Sequence, residues 1–191
     1  GVGKKEDEIE YALKTGILMF NVESSMELRT INEVAGRMNR KAPIAIRVNP
    51  DIDARTHPYI TTGMKQNKFG IDILRAPMAY RLASELPNLK VMGIDCHLGS
   101  QLVEVEPFVE ALKKLKSLVE NLRKEGVEIR YLDLGGGLGI TYDDEEPPQP
   151  VEYASNILEE IRDFGCTLIL EPGRVIVGNA GILVSRVLYT K

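Results

Sequence analysis

Short apolar runs alternate with segments of helical length and polarity along most of the chain. This alternation constrains the fold more than any other feature. The runs fall at 17–22, 44–48, 91–96, 129–134 and 167–170, and helical patterns occupy 25–39, 75–86, a segment opening at Pro107, and 151–164. Strands that are apolar throughout, joined by helices, imply a parallel sheet with both faces covered. In the segment from Pro107, Phe108, Leu112, Leu115, Leu118, Val119 and Leu122 share one face while lysines and glutamates take the other. Ser25 lies two residues before Glu27, close to a capping pattern but short of the full box. Asn49-Pro50-Asp51 reads as a turn that opens a polar loop running to about Gly70. The last stretch, 181–189, is β-branched and partly alternating with no helix after it, which reads as an exit into an antiparallel context.

Two parallel folds remain, and Gly135-Gly136-Gly137 chooses between them. A dinucleotide-binding unit needs Gly-x-Gly-x-x-Gly leading at once into a helix, with an acidic residue about twenty positions on. Here the glycines run instead into a long polar loop, Ile140-Thr-Tyr-Asp-Asp-Glu-Glu-Pro-Pro148. A (β/α) barrel with active-site groups on several strand ends fits better.

At 191 residues and formal net charge −4, nothing points to nucleic acid or an anionic membrane surface, and the longest apolar runs are strand-sized. With no visible signal peptide, the composition fits a cytoplasmic α/β protein. The start at Gly1 rather than Met raises the expectation of a fragment. Cys96 and Cys166, without a close spacing motif, fit reduced core thiols better than a disulfide framework or a zinc site.

Chemistry-bearing residues gather at the strand ends. His97 follows a strand directly and is followed by Gly99 and Ser100; the imidazole either faces the barrel mouth or is satisfied by local hydrogen bonds. The glycine triplet either cradles an anion with its N–H groups or forms a tight turn with no ligand. Asp133 supports that loop rather than performing catalysis. Glu171 ends an apolar strand and Arg174 lies three residues on. A partly buried carboxylate there needs a partner, either a protonated ring nitrogen or Arg174 itself. Arg174 could otherwise hold a phosphate or substrate carboxylate in bidentate fashion. Arg47, inside an apolar strand, needs a carboxylate within the barrel. The loop 57–70 is either a functional flap or a solvated connector. Serine hydrolysis lacks its Gly-x-Ser-x-Gly elbow, and two isolated histidines give no metal-ligand spacing.

Together the stretches Gly1-Val-Gly-Lys4, Arg47-Val-Asn-Pro-Asp51, 57–70, Cys96-His-Leu-Gly-Ser-Gln101, Leu134-Gly-Gly-Gly-Leu-Gly139 and Glu171-Pro-Gly-Arg174 closely resemble the diaminopimelate decarboxylases. These are pyridoxal-phosphate enzymes of the alanine racemase-like, fold-type III group. The glycine and Glu-Pro-Gly-Arg motifs are shared with ornithine and arginine decarboxylases, whereas Thr61-Thr-Gly-Met-Lys-Gln-Asn-Lys-Phe-Gly70 points to the diaminopimelate branch. The resemblance implies an incomplete (β/α)8 TIM-type barrel over 1–180, with 181–191 beginning a C-terminal β domain. It implies that His97 stacks on the cofactor ring and that Ser100 helps hold the phosphate. Gly135, Gly136, Gly137, Pro172, Gly173 and Arg174 would frame the cofactor, and Gly137 would offer its N–H. Glu171 would pair with the pyridine nitrogen, making His97 and Glu171 the catalytic pair, and Arg174 would also contact a substrate carboxylate. No metal is implied.

The implied reaction is decarboxylation of meso-diaminopimelate to L-lysine, the last step of lysine biosynthesis, in a homodimer. Family members carry the lysine that anchors the cofactor ahead of the segment resembling Gly1 to Lys4, so the chain reads as an inactive central fragment of an active parent. An open barrel of this kind is expected to oligomerise or to be only partly ordered. Two other readings stand beside it: an ornithine- or arginine-type decarboxylase of the same fold, and a non-catalytic relative that binds a partner.

Overall fold

The computed structural model describes residues 1–52 and 69–191, so most of the loop singled out at 57–70 lies outside the described residues. The chain opens with α1 (Glu6–Thr15), a helix that the strand-and-helix reading did not anticipate. Glu6, Asp7 and Glu8 crowd its first turn, Lys14 its last, and Gly16 closes it in the left-handed conformation at φ 73°. Only Ile9 and Leu13 of its ten residues are buried, a stripe too narrow to announce itself.

Next come β1 (Phe20–Val22) and α2 (Ser25–Arg37). The residue that caps α2 is Ser24, one earlier than the residue singled out from the sequence: its hydroxyl accepts from the Glu27 N–H at 3.2 Å. The chain continues through β2 (Ala42–Asn49), β3 (Ile71–Asp72), α3 (Ala76–Glu85), β4 (Leu89–Asp95) and α4 (Glu106–Lys124). It ends with β5 (Tyr131–Asp133), α5 (Pro150–Ile161), β6 (Thr167–Ile169) and the short α6 (Arg174–Val177). Residues 181–191 carry no regular structure and are exposed.

Among the described residues every strand pairing is parallel, and the sheet runs β1-β2-β4-β5-β6, with β3 joined to the end of β2. Neighbours follow chain order without reversal, which is the order of a barrel and not of a doubly wound sheet. The sheet also curls. In a flat sheet β1 and β5, three neighbours apart, would be ~14 Å apart. Yet the Asn21 amide on β1 donates to Asp133 Oδ2 on β5 at 2.9 Å.

The helices seal the outer face. Phe108, Leu112, Leu115, Val119 and Leu122 of α4 are buried, and Phe108 meets Tyr153 of α5 edge-on at 4.9 Å between ring centres. Under α3, the buried Tyr80 hydroxyl donates to the Gly93 carbonyl at 3.0 Å. Among the described residues, no helix is long and apolar enough to cross a membrane. The architecture is an α/β barrel of parallel strands, open rather than closed.

Candidate active site

The parallel ladder continues past the C-terminal ends of the strands and brings three loops to one mouth. Cys96 N–H donates to the Asp133 carbonyl at 2.9 Å, Leu134 N–H to Ile169 at 3.0 Å, and Glu171 N–H to Gly135 at 2.8 Å. The loop after β4 is joined to the loop after β5 by a one-residue parallel bridge, Leu102 to Leu138. Gln101 fastens the same two loops: its carbonyl oxygen accepts from the Ile140 N–H at 3.1 Å, and its amide donates to the Ile140 carbonyl. Close approach explains two of the glycines. A β-carbon on Gly136 would run into the Glu171 carbonyl oxygen, and one on Gly137, at φ +110°, into the Gly99 carbonyl oxygen.

The N–H groups of the triplet have different uses. Gly135 donates to Asp133 Oδ1 at 3.0 Å, and Gly136 donates to His97 Nδ1 at 3.1 Å. Asp133 therefore braces the loop. The Gly137 N–H has no partner among the described residues, which leaves it as the donor available to a ligand. His97 is half-buried, so the local hydrogen bond at Nδ1 coexists with an open part of the ring. Burial holds its pKa below the usual imidazole value, and Arg47 adds to this against the pull of Asp133 and Glu23. The imidazole is thus neutral at neutral pH. Ser100 lies half-buried in the same loop.

Glu171 and Arg174 do not form the internal pair that their spacing left open. Glu171 as a whole residue is exposed on the mouth, while its carboxyl is partly screened from solvent. Its carboxyl is raised above the usual range by loss of solvent, and then by the charge of Asp133 and a carboxyl–carboxyl hydrogen bond to it. Arg174, opening α6 after the exposed Pro172 and Gly173, turns the other way. Its Nη1 donates to Gln101 Oε1 at 3.3 Å, and the guanidinium lies 5.5 Å from the Tyr142 ring centre. A ring face and an amide therefore set the reach of this cation.

Beneath the mouth lies a layer that sequence reasoning assembled only in part. Arg47, Asp95 and Asp133 sit side by side in register on β2, β4 and β5. Arg47 is paired with Glu23 at 2.7 Å, the carboxylate demanded by its apolar strand. The second Glu23 oxygen accepts from the Gly70 N–H at 2.8 Å, and the Arg47 guanidinium lies 5.5 Å from the Phe69 ring centre. Asp95 is 3 % exposed, and its Oδ1 has no hydrogen-bond partner among the described residues. Burial, and then Asp133, push its carboxyl up to about 8, against the pull of Arg47. A charge inside an apolar run, the signal that exposed Arg47, was also present at Asp95. The cross-strand register that makes the three neighbours was not.

Residues 1–178 match the pyridoxal-dependent decarboxylases, pyridoxal binding domain. The chain is 54 % identical over 192 residues to the diaminopimelate decarboxylase of Haemophilus influenzae and 55 % identical over 192 residues to that of Vibrio cholerae, covering 100 % of this chain and 46 % of each relative. The crystal structure of diaminopimelate decarboxylase from Helicobacter pylori complexed with L-lysine is similar at a TM-score of 0.87 and 45 % identity, over 92 % of this chain and 45 % of that one. The chain thus spans about half the length of the curated relatives it matches, and its open sheet is part of their alanine racemase-like barrel. With its strand order, its glycine-lined mouth and these likenesses in agreement, the chain belongs to the pyridoxal-binding barrel domain of the pyridoxal-dependent decarboxylases.

Proposed function

We propose that this chain supplies the central part of the barrel of a pyridoxal-phosphate enzyme that decarboxylates meso-diaminopimelate to L-lysine, and that the whole protein works as a homodimer. The observation that carries this reading is the meeting of His97, the Gly137 N–H and Glu171 at one mouth, in a chain whose relatives bear that enzyme's name. The residues present suit the cofactor. A neutral, half-open imidazole offers a flat face, Gly136 and Gly137 keep side chains out of the cradle, and the Gly137 N–H has no partner among the described residues.

In this reading Gly137 N–H and the Ser100 hydroxyl hold the phosphate, with Gly173 and Arg174 closing the cradle from the β6 side. Pro172 has no N–H to donate, and the Gly135 and Gly136 N–H groups are used internally, so these three residues shape the turn. His97 stacks against the ring without adding charge. Glu171 holds a proton at the ring nitrogen. When bound, pyridoxal phosphate supplies an electron-withdrawing ring that stabilises the charge left as carbon dioxide departs. Arg174, steadied by Gln101 and Tyr142, receives a substrate carboxylate. Lys4 does not serve as the covalent anchor, because its Nζ is tied to the Asn21 carbonyl at 2.6 Å and to Glu27 at 2.8 Å.

The test is carbon dioxide release by a full-length protein containing this chain, supplied with pyridoxal phosphate and, in turn, meso-diaminopimelate, ornithine and arginine. Release from diaminopimelate in clear preference is expected. Preference for ornithine or arginine would move the enzyme to the sister branch, and cofactor binding without release would make it a non-catalytic relative. Glu171→Gln in that protein is expected to lower turnover by about 100-fold or more, since the amide cannot balance a protonated ring nitrogen.

A further inference from the structure

Gln101 holds a backbone conformation that its side chain disfavours. Its φ is +60°, in the left-handed region that glycine enters without strain and that a β-carbon resists. A turn alone would be better served by glycine, so the use of this residue lies in its buried side chain. That side chain answers two partners. Ile140 presents both of its main-chain groups: its N–H donates to Oε1 at 3.1 Å, and its carbonyl accepts from the Gln101 amide. This match fixes which end of the amide is oxygen, because the reversed amide would set donor against donor. The same Oε1 then receives Arg174 Nη1 at 3.3 Å. Gly139 leaves room for the arrangement, since a β-carbon there would come within 3.3 Å of the Gln101 side chain and 2.9 Å of the Leu102 carbonyl oxygen.

Arg174 is a half-buried cation among neutral groups. The Tyr142 ring lies 5.5 Å from the guanidinium, the Gln101 amide accepts from one of its nitrogens, and among the described residues no carboxylate pairs with it. Arg47, within β2, differs: it is paired with Glu23 at 2.7 Å. One arginine has its charge answered inside the protein, and the other has its charge left for a ligand. We propose that Gln101 is a positioning residue for Arg174 and, through it, a specificity residue for carboxylate. It holds the guanidinium by a neutral acceptor, so the cation is directed while its charge stays uncancelled. A glutamate in the same place would grip the guanidinium harder and neutralise it, and a carboxylate ligand would meet a pair with no net charge. The inference deepens the decarboxylase reading and rests on it only for the claim that the carboxylate belongs to the substrate.

The test uses a full-length protein containing this chain, supplied with pyridoxal phosphate. Its probe is pimelate, a dicarboxylate with no amino group, titrated by calorimetry so that no turnover is needed. Gln101→Gly keeps the left-handed turn and removes the acceptor, whereas Gln101→Glu keeps the acceptor and adds a charge. Affinity is expected to fall about 3-fold in Gln101→Gly and about 10-fold or more in Gln101→Glu. A merely structural clasp gives the opposite order, because glycine loses every side-chain hydrogen bond and glutamate only the one to the Ile140 carbonyl. That opposite order overturns the proposal, as does pimelate that fails to bind the unaltered protein or binds Arg174→Gln equally well. If Gln101→Glu does not fold, Gln101→Gly decides. With Arg174→Gln already present it is expected to change pimelate affinity by less than about twofold, and an equal loss in both backgrounds overturns the proposal.

Carbon dioxide release from meso-diaminopimelate by the unaltered protein is read separately, so the two readings fail apart. Pimelate bound in the expected order by a protein that releases no carbon dioxide keeps Gln101 in its role and sinks the decarboxylase reading. Carbon dioxide release with the opposite order of affinities does the reverse.

Discussion

Asp95 is the residue where burial and charge conflict most sharply. Its carboxyl is nearly sealed from water beside Asp133, and its folded pKa of about 8 stands well above the ordinary 3.8. Between those two values the folded chain binds more protons than the unfolded chain. The stability tied to Asp95 is therefore complete on the acid side and declines as pH rises through about 8. His97 works with the opposite sign: its folded pKa is lowered, so its share is lost as pH falls below the ordinary 6.5. Asp95→Asn removes only the first effect. The variant is expected to melt above the parent at pH 8 and to converge with it towards pH 4, and parallel melting curves across that window would refute the assignment.

At the scale of elements, stability concentrates where α4 meets the sheet and α5. Phe108 is fully buried and edge-on to Tyr153, so Phe108→Ala is expected to cost about 3–5 kcal/mol in urea unfolding. A loss under about 1 kcal/mol would mean that the site collapses around the smaller side chain. That helix was legible in the sequence because its apolar face repeats over nineteen residues. The narrow stripe of α1 and the four residues of α6 carry too little pattern to read. Strand ends were drawn too long where apolar residues face water, as Ile17 and Leu18 do ahead of β1. At the site, the need for small residues at 135–137 and for a carboxylate on Arg47 could be read from residue type alone. The turning of Arg174 towards Gln101, and the placing of Asp95 beside Asp133, depend on loop path and register, which no local stretch encodes.

At the scale of the whole molecule, the sheet ends in two edges, the outer sides of β1 and β6, that have no strand partner among the described residues. Apolar side chains lie exposed near the β6 side at Leu170, Ile176 and Val177, and along the final segment at Leu183 and Tyr189. Open edges and exposed apolar surface promote association. The 191-residue chain is expected to show a concentration-dependent mass above that of a monomer by sedimentation, and a sharp monomer with a cooperative melt would count against this.

The bridge between Leu102 and Leu138, locked by Gln101, bears on how the mouth meets a ligand. Two connections that could wander separately are one body, and the conformational entropy of both is surrendered when the chain folds. An anion arriving at Gly137 finds its donor already aimed. Its affinity then reflects the contacts it makes, with little deduction for ordering the walls around it.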